Sequence, residues 1–288
     1  MTERLEKLRK ILGDLGADAM VVRSTDRYLN EYVPDADSTR QWLTGFTGSV
    51  GDALVTSKEA FLFVDGRYHL QASQEVKPEW TVVKLGLAEP IFGALCARVG
   101  ALARSASLAV LGYESDRFTV SEREQLERAI AGTNAKLRAL LPSPLEALMG
   151  RARVKFEPLR ILDESRVGLS SVKKLERLRE FLKAEQADLV VVEKLDDLAY
   201  LTNLRGADLP FQATFKAKAV VGLTSAAVCL HGREPSAALK QARGSFEFVL
   251  EKEFEEAVLR VAGVGRRAVL DPSANTDATR GLLAKQGF

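Results

Sequence analysis

Histidine and cysteine are almost missing from this chain: two of each stand among its 288 residues. Cys96 and Cys229 lie far apart with no CxxC spacing, so neither a disulfide framework nor a zinc site is announced, and reduced, buried thiols are expected. His69 and His231 read as surface or helix-end residues, because a lone imidazole lacks the partners that build a metal centre. An excess of one charge is missing too. With 41 Lys and Arg interspersed among 39 Asp and Glu, net +2, the chain presents no basic face to neutralise phosphates, which argues against nucleic acid as a partner. No apolar run approaches the ~20 residues that span a bilayer, and the N-terminal "MTERLEKLRK" is a charged amphipathic helix rather than a signal peptide. A cytoplasmic protein without a membrane partner is expected.

What the chain does have is a repetition. Arg4 to Val22 aligns without a gap on Lys174 to Val192, nine of nineteen positions being identical at an offset of 170. Ala53 to Arg67 falls on Ala219 to Arg233, and "WLTGF" at Trp42 to Phe46 echoes "YLTNL" at Tyr200 to Leu204. A period this long exceeds the roughly 20 to 50 residues of solenoid repeats, so each copy is domain-sized. The ordinary globular composition, 46% hydrophobic and 28% charged, fits two domains.

Each half reads as α/β. Leu5, Leu8, Leu12 and Leu15 recur at helical spacing before Gly16, and "DAMVV" follows as a short buried strand. A polar, irregular stretch from Arg23 to Gln41 leads to "WLTGF"; "ALVTSKEAFLFV" then reads as a hairpin turning at Ser57 to Glu59. Next come a helix through His69 to Glu75, the strand "WTVVKL", a helix from about Pro90, the strand "SLAVLGY", a helix opened by the Thr119 and Glu122 capping box, and a strand near Lys136 to Leu140. Hairpin plus crossover helices predicts a mixed sheet with helices on both faces. From about Pro142 to Gly168 the pattern dissolves into a linker that partly packs on its neighbours, which sets domains at 1–150 and 166–288 around a linker at 151–165. The second half repeats the order, with a short helix around Asp196 to Asn203, the hairpin "KAKAVVGLTSAAVCLHG", a helix, the strand "FEFVLE", a helix, "RAVLD" and a last helix. It stops where its next element is due.

Several residues carry two readings. Gly45, Gly48 and Gly51 tempt a phosphate-loop assignment, yet no Lys-Ser/Thr follows and a strand comes next, so backbone freedom explains them better. Trp42 and Phe46 read as aromatics on a strand beside glycines, either core or the lining of a peptide groove. Asp196 and Asp197, at a helix start, favour capping over paired acid/base work. Asp65 to Tyr68, "DGRY", follows a strand. Either Asp65 caps the next helix and Arg67 is solvated, or the guanidinium fork binds carbonyls and carboxylates. Arg233, its counterpart in the second copy, lacks the flanking Asp and Tyr and reads as a surface residue.

The run "EYVPDADSTRQWLTGFTGSVGDALVTSKEAFLFVDGRYHLQASQEV" resembles the first domain of three-domain Xaa-Pro aminopeptidases, and "LDDLAYLTNLRGADLP" resembles their second. The likeness covers nearly the whole chain. It implies two tandem homologous creatinase-N-like domains preceding a catalytic "pita-bread" domain that holds two divalent metals, manganese or zinc, on two Asp, one His and two Glu. No position here matches those ligand motifs, so the resemblance assigns the chain no catalytic residue, no metal ligand and no cofactor of its own. It implies substrate contact by Arg67, with Tyr68 and Trp42 beside it, and a peptide as the partner of the full-length parent, with homo-oligomers also in view. Departures are modest: Thr39 stands where an Arg pair is common, Asp52 where a small or hydroxyl residue is usual, and "QATFKAKA" replaces a more aromatic strand. The function implied is the non-catalytic N-terminal region of an Xaa-Pro aminopeptidase-like metallopeptidase that shapes substrate access and assembly. The alternative is an inactive binding or scaffold protein built from the same domains; a creatinase or prolidase, with one such domain, fits the duplication poorly.

Overall fold

The computed structural model describes residues 3–150, 156–237, 239 and 246–288. The chain divides into two compact units, one formed by Met1–Arg27 with Glu31–Arg153, the other by Tyr28–Asn30 with Val154–Phe288.

In unit 1, helix α1 (Glu3–Asp14) buries Leu5, Leu8 and Leu12 on one face and leads into strand β1 (Ala19–Val22). A short helix, α2 (Thr39–Thr44), ends at Gly45, whose φ of +78° turns the chain out of the helix. The hairpin β2 (Asp52–Thr56) and β3 (Ala60–Val64) follows, then α3 (His69–Glu75), β4 (Thr81–Lys84), α4 (Ile91–Arg104), β5 (Val110–Tyr113), α5 (Val120–Ile130), β6 (Lys136–Ala139) and α6 (Pro144–Met149). The sheet order is β4-β3-β2-β1-β5-β6, antiparallel through the hairpin and parallel outside it. Alternation sorts the side chains. Met20, Val22, Val55, Leu62 and Val64 pack toward α1, while Val21, Leu54, Phe61 and Phe63 pack toward Leu95, Val99 and Leu126 of α4 and α5.

Unit 2 contains β7 (Arg160–Ile161), α7 (Ser171–Ala184), β8 (Leu189–Val192), α8 (Leu195–Thr202), β9 (Leu204–Arg205), β10 (Ala217–Gly222), β11 (Ala226–Leu230), β12 (Glu247–Leu250), α9 (Phe254–Ala262), β13 (Ala268–Val269) and α10 (Asp277–Lys285). Its main sheet runs β12-β11-β10-β8-β13, and β7 pairs separately with β9. The helix expected between β11 and β12 falls mostly on 238 and 240–245, outside the described residues, as do residues 151–155 of the expected linker.

Register shows the duplication at single-residue resolution. Ala19 pairs with Thr56 and Leu189 with Gly222, Asp52 with Phe63 and Lys218 with Cys229, Phe61 with Thr81 and Ala227 with Glu247. Because a slip of one residue would turn every side chain to the other face, identical register means identical buried faces. The two expected mixed sheets flanked by helices are present.

Two local expectations fail. Trp42 lies on α2 rather than on a strand, because Arg40, Leu43 and Thr44 bury one face of a helical turn that the positive-φ Gly45 can end. Within the stretch read as dissolving from Pro142, α6 is capped by Ser143, whose side chain accepts the Glu146 N–H, and it buries Leu145 completely.

Candidate functional site

The loop after α2 is built around a buried cation. Arg40, 5% exposed, donates to the carbonyls of Phe46 and Gly48 and lies 4.9 Å over the Phe46 ring. Burial pulls its pKa down to about 10, which still leaves it charged at neutral pH. The glycine loop therefore turns carbonyl oxygens toward a guanidinium, the opposite polarity to a phosphate cradle. Thr44 locks the corner, donating to the Arg40 carbonyl at 2.9 Å and accepting from the Phe46 N–H at 3.0 Å. A Cβ on Gly48 would stand 2.2 Å from the Phe46 ring and 2.7 Å from the Tyr68 ring, so only glycine fits there.

On this base stands the turn Asp65 to Tyr68. Strand β3 stops at Val64, and the Asp65 carboxylate accepts the Arg67 N–H at 3.0 Å. The same carboxylate takes Arg67 Nε at 3.1 Å and Nη2 at 2.8 Å, and these side-chain hydrogen bonds hold its pKa below the usual range. Arg67 nonetheless remains 63% exposed, its guanidinium 5.3 Å from the Tyr68 ring centroid. Tyr68 meets Phe46 edge-on at 5.7 Å and shares a 2.7 Å hydrogen bond with the Ser49 hydroxyl. Glu75 of α3 accepts from the Thr47 N–H at 2.7 Å and the Thr47 hydroxyl at 2.8 Å, tying the other side of the loop. Asp65 thus caps the turn while Arg67 faces solvent with donors suited to a peptide carbonyl or carboxylate. Of the residues named from the sequence, Arg67 and Tyr68 come together on the Arg40-centred loop. Trp42 sits among different neighbours: half-buried on α2, it packs on the α1 core and carries the Arg4 guanidinium 4.8 Å over its ring.

Buried ionic nodes were not foreseen. In unit 1, Arg23 binds both Asp52 and Glu122; in unit 2, Glu193 accepts Lys218 Nζ at 2.6 Å, the Thr279 hydroxyl at 2.7 Å, the Thr276 N–H at 2.8 Å and the Asn275 amide at 3.1 Å. The register places Arg23 opposite Glu193 in the duplication and Asp52 opposite Lys218, so the same node appears with its charges reversed. Burial pushes the Glu193 pKa up, but Lys218 and the hydroxyl and amide donors outweigh it and leave it lowered. A second node lies at the end of β5. Arg117, wholly buried, donates to Glu146 at 2.7 Å and to the carbonyls of Thr25 and Asp37 at 2.8 and 3.0 Å, tying those two points of irregular chain to α6 within unit 1. Glu114 beside it, 3.8 Å from Arg117 Nε, accepts from Ser143, and burial raises its pKa to about 7.

Two surface assignments are corrected. Arg233 is 10% exposed, paired with Asp208 and the Glu157 carbonyl and stacked 4.8 Å over Phe156. It closes the 206–216 loop against the chain entering unit 2. His231 is likewise only partly exposed, paired with Glu251 and edge-on to Phe156 at 5.7 Å. Asp196 and Asp197 lie in the first turn of α8, where their charge complements the helix dipole, but the capping expected of them is not made: the N-cap position is Lys194, with no side-chain cap hydrogen bond.

Residues 4–142 match the creatinase/prolidase N-terminal domain, and residues 150–285 match a second model of that same description. A probable Xaa-Pro aminopeptidase P of Laccaria bicolor is 31% identical over 94% of this chain, and one of Colletotrichum graminicola is 32% identical over 78%. The chain spans 41% and 36% of those proteins. The crystal structure of an X-prolyl aminopeptidase from Caenorhabditis elegans, described as a cytosolic enzyme with a di-nuclear active site, superposes with a TM-score of 0.86 at 25% identity. That match takes in all of this chain and 49% of the enzyme. With the repeat, the register and both matches in agreement, the chain belongs to the creatinase/prolidase N-terminal domain family and carries that domain twice.

Proposed function

We propose that this chain is the non-catalytic N-terminal region of an Xaa-Pro aminopeptidase-like metallopeptidase, with domains at 1–150 and 166–288 that shape substrate access and assembly for a catalytic domain. The observation that supports it is the superposition of the whole chain on half of an X-prolyl aminopeptidase, with Arg67 exposed on a braced turn. The chain's own donors do not fit a di-nuclear metal centre. Among the described residues no three His, Cys, Asp or Glu cluster to hold an ion; His69 is bonded to the Leu85 carbonyl at 3.0 Å, His231 to Glu251, and burial pushes the Cys96 and Cys229 thiols up to about 11 and about 12. The metals, manganese or zinc, belong to the catalytic domain in this reading. Peptide is the partner, Arg67, Tyr68 and Trp42 the contacting residues, and the cytoplasm the location. No helix among the described residues is long and apolar enough to cross a membrane.

The experiment compares the purified chain with a longer protein containing it. The chain with manganese or zinc should leave an Xaa-Pro peptide intact, and turnover that scales with protein would sink the reading. In the longer protein Arg67→Ala should cut kcat/KM on long peptides by roughly ten- to a hundredfold, the effect of losing a charge-assisted contact, and spare short ones. Equal activity on both would leave Arg67 a solvated cap partner. Peptide binding without turnover by the longer protein would favour the scaffold alternative.

A further inference from the structure

The two units cover one shared face unequally. In unit 1 the trough between α1, α2 and β1 is filled by α6: Leu145 is 0% exposed, Leu148 packs beside it, and the floor residues Leu8, Met20 and Val22 are each 0% exposed. Their equivalents in unit 2 are Leu178, Val190 and Val192, all only half-buried. At the rim, Phe181 and Tyr200, which correspond to the half-buried Ile11 and Trp42, are 44% and 56% exposed. Together they line an apolar cavity of about 490 Å³. Even the rim cation recurs, Lys174 lying 3.8 Å from the Tyr200 ring centroid as Arg4 lies over Trp42.

The duplication says what belongs there. Helix α5 is capped by Thr119 and α10 by Thr276, each side chain accepting the N–H three residues on, so these helices are equivalent. In unit 1 the chain leaving α5 adds β6 in parallel to β5 and then drops α6 into the trough. In unit 2, β13 takes the place of β5, and among the described residues it is paired on one side only, with β8. We propose that the groove seats the polypeptide that follows α10 in a longer protein: a strand alongside β13, then a short capped helix whose apolar residues, three apart like Leu145 and Leu148, cover Phe181 and Tyr200. Arg117, which holds Glu146 of α6, corresponds to Ala274, so the ion pair that anchors α6 in unit 1 has no counterpart at that position, and the apolar floor and rim carry the contact. This inference rests on the internal repeat and shares with the peptidase reading only the existence of polypeptide beyond Phe288.

Phe288 corresponds to Ala131, so the test extends the full chain past Phe288 with a copy of 132–150, against a control carrying the same residues scrambled. The copy should slow amide exchange in β13 and at Val190 and Val192 at least tenfold and halve binding of anilinonaphthalene sulfonate, with the protein remaining monomeric. Phe181→Asp with Tyr200→Asp should abolish that protection in the extended chain while leaving the far-ultraviolet spectrum of the unextended chain unchanged. Equal exchange and dye binding with the copy and the scrambled tail would overturn the proposal. So would an unextended chain that already buries Phe181 and Tyr200 by self-association. Because activity is not read, a failure here is separable from a failure of the peptidase reading.

Discussion

Removing the Glu193 carboxylate should be among the most damaging single changes in unit 2. Glu193→Ala deletes the acceptor of the Lys218 ammonium, two threonine hydroxyls, the Thr276 N–H and the Asn275 amide, and strands Lys218, whose side chain is 9% exposed, without its anion. Breaking a buried pair from one side costs about 3–5 kcal/mol, mostly the uncompensated charge. Lys218→Met should cost less, toward the lower end, because the hydroxyls and amides still satisfy the carboxylate. The double change should be much milder than the sum of the two, the sign of a coupled pair. Both tryptophans, Trp42 and Trp80, lie in unit 1, so their emission reports that unit while far-ultraviolet circular dichroism reports both. Urea titration of Glu193→Ala at pH 7 should lower the dichroism midpoint and leave the tryptophan midpoint in place. Acid has the same target. With the folded pKa lowered below the ordinary 4.5, the stabilisation is present above that value and lost as pH falls through the folded one. A cost under about 1 kcal/mol, or additivity with Lys218→Met, would refute the reasoning.

Glu114 has the opposite sign: its pKa is raised from 4.5 to about 7, so the folded state holds its proton longer, and stability present below pH 4.5 declines as pH rises through 7. Glu114→Gln should flatten that decline, worth ~3 kcal/mol at 1.36 per unit; an unchanged pH profile in tryptophan-monitored melts would contradict it. Gly48→Ala must displace Phe46 or Tyr68 and should cost about 1–3 kcal/mol in the same melts, while wild-type stability would show that the loop yields freely. Both thiols should resist a disulfide reagent at pH 8 until urea unfolds the chain, since burial raises Cys96 to about 11 and Cys229 to about 12; reaction of either in the folded protein within minutes would place it at the surface.

Periodicity carried most of the architecture because one buried face per element leaves a direct trace. The α1 leucines, the hairpin about Ser57 to Glu59 and the Thr119 to Glu122 capping box were all legible for that reason. What escaped depends on partners distant in sequence. Arg233 looks exposed until Asp208, 25 residues away, is folded beneath it. Helix α6 is six residues, with Pro142 ahead of it and Pro144 at its first position, too short for a period, and Leu145 is buried only because α1 and α2 are already in place. The charge-reversed node left a trace that local alignment passed by: the matched blocks end at Val22 and restart at Ala53, one residue short of Arg23 and of Asp52. At the candidate site, "DGRY" announced the cap and the exposed guanidinium, but nothing local announces that Arg40 organises the loop beneath Tyr68.

That reversal bears on how two near-copies on one chain avoid exchanging parts. Strands β1 and β8 share sequence and register, so during folding β1 could add to the β10 hairpin, or β8 to the β2 hairpin, with apolar faces still matched. The flanking charges forbid the exchange. A β1–β10 pair would set Arg23 against Lys218, and a β8–β2 pair would set Glu193 against Asp52, each burying like charges where the native pairing buries opposite ones. Within each unit the ion pair adds little that an apolar pair would not; between units it tells one copy of the sheet from the other.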